Sequence, residues 1–288
     1  MEPWLSEYPF ASHFLDVGDG VNMHYLDEGP RTDEAVVMLH GNPTWSFHFR
    51  RLVLALRGRM RCIVPDHIGM GLSDKPQDYP YRLERRIADV ARLIAHLQLQ
   101  RIHLVVHDWG GTIGLGLAVH HVDAIGRIVI MNTAAFSDAR IPARIALCRW
   151  PLLGALLVRG GNGFVRAATS MAVTRPLSPA VRAGYLAPYG SWADRVAVHA
   201  FVRDIPMTPA HPSRDLLERI GSDLAWLRCK PILIGWGGRD FCFNDHFLDR
   251  WRQLYPEAAV ERYAEAGHYL LEDAGDRFIP QIQSFLAG

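Results

Sequence analysis

Short apolar runs recur along the chain and alternate with longer stretches patterned on one face. VNMHYLD (21–27), AVVMLH (35–40), RCIVPD (61–66), IHLVVH (102–107), RIVIMN (127–132) and PILIGW (231–236) are short and mostly rich in Val and Ile. Runs of this length predict strands, most of them buried on both faces. Between them the period changes. Over 82–99, Leu83, Ile87, Val90, Ile94 and Leu97 fall on one helical face, with Arg85, Arg86 and Asp89 elsewhere. Strands alternating with helices predict an α/β fold, with a mostly parallel central sheet flanked by helices and the first hairpin-like runs pairing antiparallel.

The alternation stops at Asn132 and resumes near Pro231. From 133 to 212 the pattern is helical, cut into short pieces by Pro142, Pro151, Pro176, Pro179, Pro188, Pro206, Pro209 and Pro212. This predicts an α-helical cap, 133–212, inserted into a core formed by 1–132 and 213–288. No internal repeat or low-complexity tract interrupts the chain.

Composition narrows the function classes. With 288 residues, 49% of them apolar, the chain can bury one sizeable core with an inserted lobe, not two independent domains. A net charge of +1, with no basic cluster expected, gives no electrostatic case for nucleic acid. The start, MEPWLSEYPFASHF, lacks a basic region followed by an apolar run, so no signal peptide is expected. No stretch approaches the roughly 20 apolar residues of a transmembrane segment. The dispersed Cys62, Cys148, Cys229 and Cys242 read as buried free thiols in a reducing compartment. The expectation is a soluble cytoplasmic protein.

Chemistry concentrates first in IHLVVHDWGGTIGLGLAVHH (102–121): a buried strand, a tight glycine-bounded turn and a small-residue helix, with Asp108 at the apex. Such a turn pushes its apical residue over the carboxyl end of the sheet, beside the free N–H groups of a helix N-terminus. Val106 stands where a small residue is usual two places earlier, and an Asp here also suits a plain helix cap. Two later segments favour chemistry. PILIGWGGRDFCF (231–243) places Asp240 just after a strand, and ERYAEAGHYLLEDA (261–274) places His268 in a loop before the last helix. Nucleophile, acid, then histidine is the chain order of a triad on this architecture, in which a carboxylate holds the imidazole tautomer. HGNPTWSFHFR (40–50) supplies the remaining part: Asn42 and Trp109 are expected to donate backbone N–H groups as an oxyanion hole, and their side chains to stabilise a leaving anion. His120 and His121 adjoin on a helix and point different ways, a poor metal pair.

HGNPTWSF (40–47), PDHIGMGLSDKP (65–76), HDWGG (107–111) and AGHYLLEDA (266–274) together resemble the α/β-hydrolase fold, specifically its haloalkane dehalogenase branch. The likeness covers most of the chain and is weakest in the cap. It implies Asp108 as nucleophile, His268 as base, and Asn42 with Trp109 as the halide-stabilising pair. Some members carry the triad acid after the sixth strand; here that place holds Asn132, which leaves Asp240 as the acid. Residues 131–164 most resemble a subgroup of long-chain olefin biosynthesis, the β-lactone decarboxylases, which convert a cis-3-alkyl-4-alkyloxetan-2-one into a cis-alkene and CO2.

The resemblance implies no metal and no organic cofactor, a small hydrophobic substrate with alkyl chains, and a complex with other olefin-biosynthesis enzymes. Phe136, Leu147, Leu152, Leu153, Leu156 and Phe164 are expected along the substrate path, and LCRWPLLGALLV (147–158) reads as tunnel lining or as a surface for partners or membrane. An ionised carboxylate suits attack at an sp³ carbon, whether of a haloalkane or of the lactone's C–O bond; attack at the lactone carbonyl is a competing route. Haloalkane dehalogenase is the alternative reading and epoxide hydrolase the third, since cap residues Tyr185 and Tyr189 offer phenolic acids, although packing suits them better. A catalytically silent binder need not keep Asp108, Asp240 and His268 together. Trp109 stands where a fluoroacetate-type enzyme would be expected to carry arginine.

Overall fold

Every residue of Ile102–His107 is buried, because this run lies in the middle of a sheet covered on both faces. The computed structural model describes residues 2–288. Its eight strands are β1 (His13–Asp16), β2 (Asn22–Glu28), β3 (Glu34–Leu39), β4 (Arg61–Pro65), β5 (Arg101–His107), β6 (Ile125–Met131), β7 (Ile232–Gly237) and β8 (Ala259–Tyr263). They form one sheet in the order β1-β2-β4-β3-β5-β6-β7-β8. The β1–β2 and β2–β4 pairs are antiparallel, and all other pairs are parallel. The six expected runs are strands; β1 escapes the apolar pattern because it is a half-exposed edge of four residues.

The helix predicted over 82–99 runs from Leu83 to His96, but its burial departs from the simple apolar face. Arg86 and Asp89 are buried, while Ile87 and Ile94 are only half-buried. Charged and polar partners, one of them on the same helix, account for this. Arg86 pairs with Asp204 at 2.9 Å, and Asp89 takes Arg85 at 2.9 Å and the Tyr79 hydroxyl at 2.6 Å. The cysteines depart as well. All four are free, yet only Cys62 is buried and Cys229 is exposed.

Between β6 and β7 the chain leaves the sheet and forms helices Ala143–Cys148, Pro151–Arg159, Gly163–Met171, Pro179–Leu186 and Val196–Arg203. Helix Arg214–Asp223 then returns to the core, where the absence of a side chain at Gly116 admits Ile220 against helix Trp109–Ala118. Among the described residues no helix is long and apolar enough to cross a membrane.

A buried charge cluster ties the inserted helices to the core. Arg50 bonds both oxygens of Glu272, at 2.6 and 3.0 Å, and its guanidinium lies 4.3 Å from the centre of the Phe47 ring. The Tyr185 hydroxyl donates to the same carboxylate at 2.6 Å. Burial by itself would raise the Glu272 carboxyl; the hydrogen bond and charge of Arg50 outweigh it and hold the group below its ordinary value. Its stabilisation is therefore full above the ordinary carboxylate range and is lost as pH falls through the lowered value. Glu272→Gln leaves Arg50, only 2% exposed, with the half-exposed Glu7 at 3.7 Å as its remaining carboxylate, and is expected to cost about 3 kcal/mol in urea unfolding at neutral pH. An unfolding midpoint equal to that of the parent would contradict this role.

Candidate active site

Asp108 stands between β5 and helix Trp109–Ala118 with φ 50° and ψ −129°. That left-handed conformation costs a non-glycine residue roughly 1–3 kcal/mol and persists only where neighbours enforce it. The Asp108 N–H donates to the Asn132 carbonyl at 3.2 Å, and its own carbonyl accepts from the Gly111 N–H at 2.9 Å and from the Thr133 hydroxyl. The turn leaves no room beside it. A Cβ at Gly110 would overlap the Leu39 carbonyl, and one at Gly111 would overlap Thr133.

The carboxylate makes no capping bond to its helix. Instead Oδ1 accepts the Asn42 backbone N–H at 2.7 Å, and the Trp109 amide also stabilises the charge. Burial nonetheless raises the Asp108 carboxyl above its ordinary value, against the pull of His268 and these two amides. Both backbone donors expected at the elbow therefore face the carboxylate.

His268 follows β8 and points its two ring nitrogens at two carboxylates. Nδ1 lies 2.7 Å from Asp240 Oδ2, and Nε2 lies 3.6 Å from Asp108 Oδ2, an ion-pair separation longer than a hydrogen bond. Asp240 sits in the turn after β7, where its Oδ1 accepts the Cys242 and Phe243 amides at 2.6 and 3.1 Å. These bonds fix the carboxylate that orients the ring. Burial pulls the His268 pKa down, but the Asp240 charge and hydrogen bond, with Asp108, reverse this and leave it raised. Asn132 is occupied elsewhere: its amide clips β6 to β7, accepting the Gly237 N–H at 2.8 Å and donating to the Gly237 carbonyl at 3.2 Å.

Above these groups lies a cavity of about 500 Å³, bounded by Asn42, Asp108, Trp109 and His268 below and by the inserted helices above. Phe136, Leu147 and Phe164 line it as expected. Leu152, Leu153 and Leu156 do not: they are 88%, 40% and 63% exposed, because helix Pro151–Arg159 buries Gly154 and Val158 instead. Leu157 and Met171 take their place, joined by Phe241, Cys242 and Phe243 from the loop after Asp240. That loop follows the acid directly, a signal the sequence carried. The Asn42 side chain also departs from expectation. Its Nδ2 donates to the Val198 carbonyl at 3.1 Å, and its buried Oδ1 has no partner. Tyr185 and Tyr189 do not reach the cavity; the latter's hydroxyl lies 3.4 Å from the Thr44 carbonyl. Among the described residues no three His, Cys, Asp or Glu side chains gather as a metal site.

A sequence profile of the α/β hydrolase fold matches residues 34–171. The chain is 47% identical over 285 residues to the cis-3-alkyl-4-alkyloxetan-2-one decarboxylase of Shewanella oneidensis, covering 96% of this chain and 89% of that one. It is 46% identical over 290 residues to the Xanthomonas campestris decarboxylase of the same name, covering 97% of each. The chain belongs to the α/β-hydrolase fold family. Within that family its structure is similar to haloalkane dehalogenase DbeA from Bradyrhizobium elkani, with a TM-score of 0.88, 25% identity and coverage of 97% and 98% of the two chains.

The geometry assigns Asp240 to the orientation of His268. In Asp240→Asn, burial is left opposed only by Asp108, so the His268 pKa should fall, and turnover should drop roughly 10²–10⁴-fold. Histidine NMR titration beside steady-state assays measures both; an unmoved His268 pKa would refute the pairing.

Proposed function

We propose that the protein is a cis-3-alkyl-4-alkyloxetan-2-one decarboxylase, with Asp108 as nucleophile, Asp240 and His268 completing the triad, and residues 133–212 capping the core. The observation that carries this reading is the near-full-length likeness to two decarboxylases, because the triad geometry alone is equally that of a dehalogenase. Asp108 attacks the ring carbon bearing the ring oxygen, forming an alkyl ester as that C–O bond breaks and the lactone carboxylate departs. The Trp109 indole, and the Asn42 amide once released from Val198, receive the departing carboxylate. The bond from the neighbouring carbon to the carboxylate then supplies the electrons of the alkene, CO2 leaves, and the ester C–O bond breaks to return Asp108 as carboxylate. Inversion followed by anti loss converts a cis-lactone into a cis-alkene.

His268 needs no water in this sequence. As imidazolium, favoured by its two carboxylate neighbours, it stabilises the Asp108 carboxylate as it departs. An apolar lining binds the alkyl chains, worth about 0.8 kcal/mol per buried methylene, and keeps out water that would divert the ester. On this reading the protein works in the cytoplasm, in complex with the other enzymes of olefin biosynthesis. The second reading, haloalkane dehalogenase, rests on the same triad and on the likeness to DbeA; there His268 must be neutral to activate water.

Protonation separates the two readings. Decarboxylation should persist below the His268 pKa, falling on the acid side as pH drops through the raised Asp108 pKa, where the neutral acid no longer attacks, and slowing on the alkaline side as His268 loses its proton. Ester hydrolysis should instead rise with pH through the His268 pKa. Gas chromatography of a long cis-dialkyl β-lactone reaction, beside halide detection with 1,2-dibromoethane, should show alkene with at most slow halide release. Rapid halide release without alkene would establish the dehalogenase. Asp108→Ala should abolish turnover with the fold retained, and activity within about tenfold of the parent would remove Asp108 from its role.

A further inference from the structure

The total charge of +1 conceals an asymmetry that the composition did not suggest. From Ala139 to Trp192 there are seven arginines (Arg140, Arg144, Arg149, Arg159, Arg166, Arg175 and Arg182) and no Asp, Glu, Lys or His, a local charge of +7. Among the described residues none of the seven pairs with a carboxylate; the ion pairs nearest in sequence are those of Asp138 and Asp204. Arg149 and Arg159 donate to the uncharged Ile205 carbonyl, Trp192 carbonyl and Gln77 side chain.

Apolar side chains crowd the same segment. Trp150, Leu152 and Leu156 are 63%, 88% and 63% exposed, with Leu153, Leu157 and Leu147 beside them near 40%. Helix Pro151–Arg159 is thus turned inside out: glycine and valine face the protein, and leucines face outward. The cavity opens into this surface, since the exposed Leu147, Leu157, Arg140 and Arg144 all line it as well.

We propose that this face docks on an anionic lipid surface, with the leucines and Trp150 in the interfacial layer, the arginines on lipid phosphates, and the cavity mouth opening toward the acyl chains. Arginines around exposed Leu and Trp are the composition of a helix lying in the membrane plane. A second copy is disfavoured as occupant, because a two-fold contact would set the same run of seven arginines, which contains no acidic residue, against its own copy.

Vesicle flotation of the full-length protein tests this. Binding is expected to phosphatidylcholine vesicles containing about 30% phosphatidylglycerol, to weaken in about 0.5 M NaCl, and to be much poorer on phosphatidylcholine alone. Trp150→Ser/Leu152→Ser/Leu156→Ser should float at least about tenfold less with an unchanged circular dichroism spectrum. Arg140→Gln/Arg144→Gln/Arg166→Gln should lose about fivefold per arginine. Absence of flotation, flotation indifferent to anionic lipid, or flotation undiminished in both variants would overturn the proposal. So would sedimentation showing that the parent self-associates through this face without binding vesicles. Should the serine variant fail to fold, the comparison of the two vesicle types with the parent decides alone.

Discussion

Asp108 keeps a positive φ because both sides of its peptide are held by other parts of the sheet, and the site depends on that restraint. Asn132, at the end of β6, takes its N–H, while Thr133 and Gly111 take its carbonyl. The same Asn132 clamps β7 through Gly237, next to the turn that carries Asp240. One residue, through its backbone carbonyl on one side and its side-chain amide on the other, therefore fixes the spacing between the strand end that presents Asp108 and the one that presents Asp240. Strain of a few kcal/mol at Asp108 is sustained by hydrogen bonds formed elsewhere in the sheet.

The loop that faces Asp108 has a comparable support. Asp66 accepts the Ser46 amide at 2.6 Å, the Leu72 amide at 2.9 Å and His24 Nδ1 at 2.8 Å. Burial by itself would raise its carboxyl, but His24, His40 and the Leu72 amide outweigh that and bring it down to about 2. A charge so thoroughly satisfied pins the loop that begins at His40 and aims the Asn42 amide at Asp108. Arg50, Glu272 and Tyr185 extend the same logic to helix Pro179–Leu186, which is fastened to the core by buried polar contacts as well as by apolar packing.

Much of this was legible along the chain, and the exceptions share a cause. Strands buried on both faces announce themselves as apolar runs, and the elbow and the acid each sit beside such a run, whereas the histidine follows the half-exposed β8. Where a residue's surroundings come from outside its own element, the pattern misleads. Arg86 belongs to a polar face by periodicity, yet Asp204 makes its burial tolerable, and Tyr79, with Arg85 one turn away, does the same for Asp89. Leu152, Leu153 and Leu156 belong to a lining by composition, yet small residues on the opposite face let their helix pack the other way round.

By itself the amino-acid sequence determined the fold class, the chain order of Asp108, Asp240 and His268, and the loss of a carboxylate at position 132, because these depend on local period and on residues adjoining strand ends. Tertiary structure alone decided which leucines face the cavity, that Asn42 turns its amide to Val198, and that the arginines of 139–192 stay without carboxylate partners among the described residues while leucines of the same segment are exposed. Those outcomes depend on which side of each helix meets the core, and a helix with apolar residues on both sides carries no local signal to choose between them.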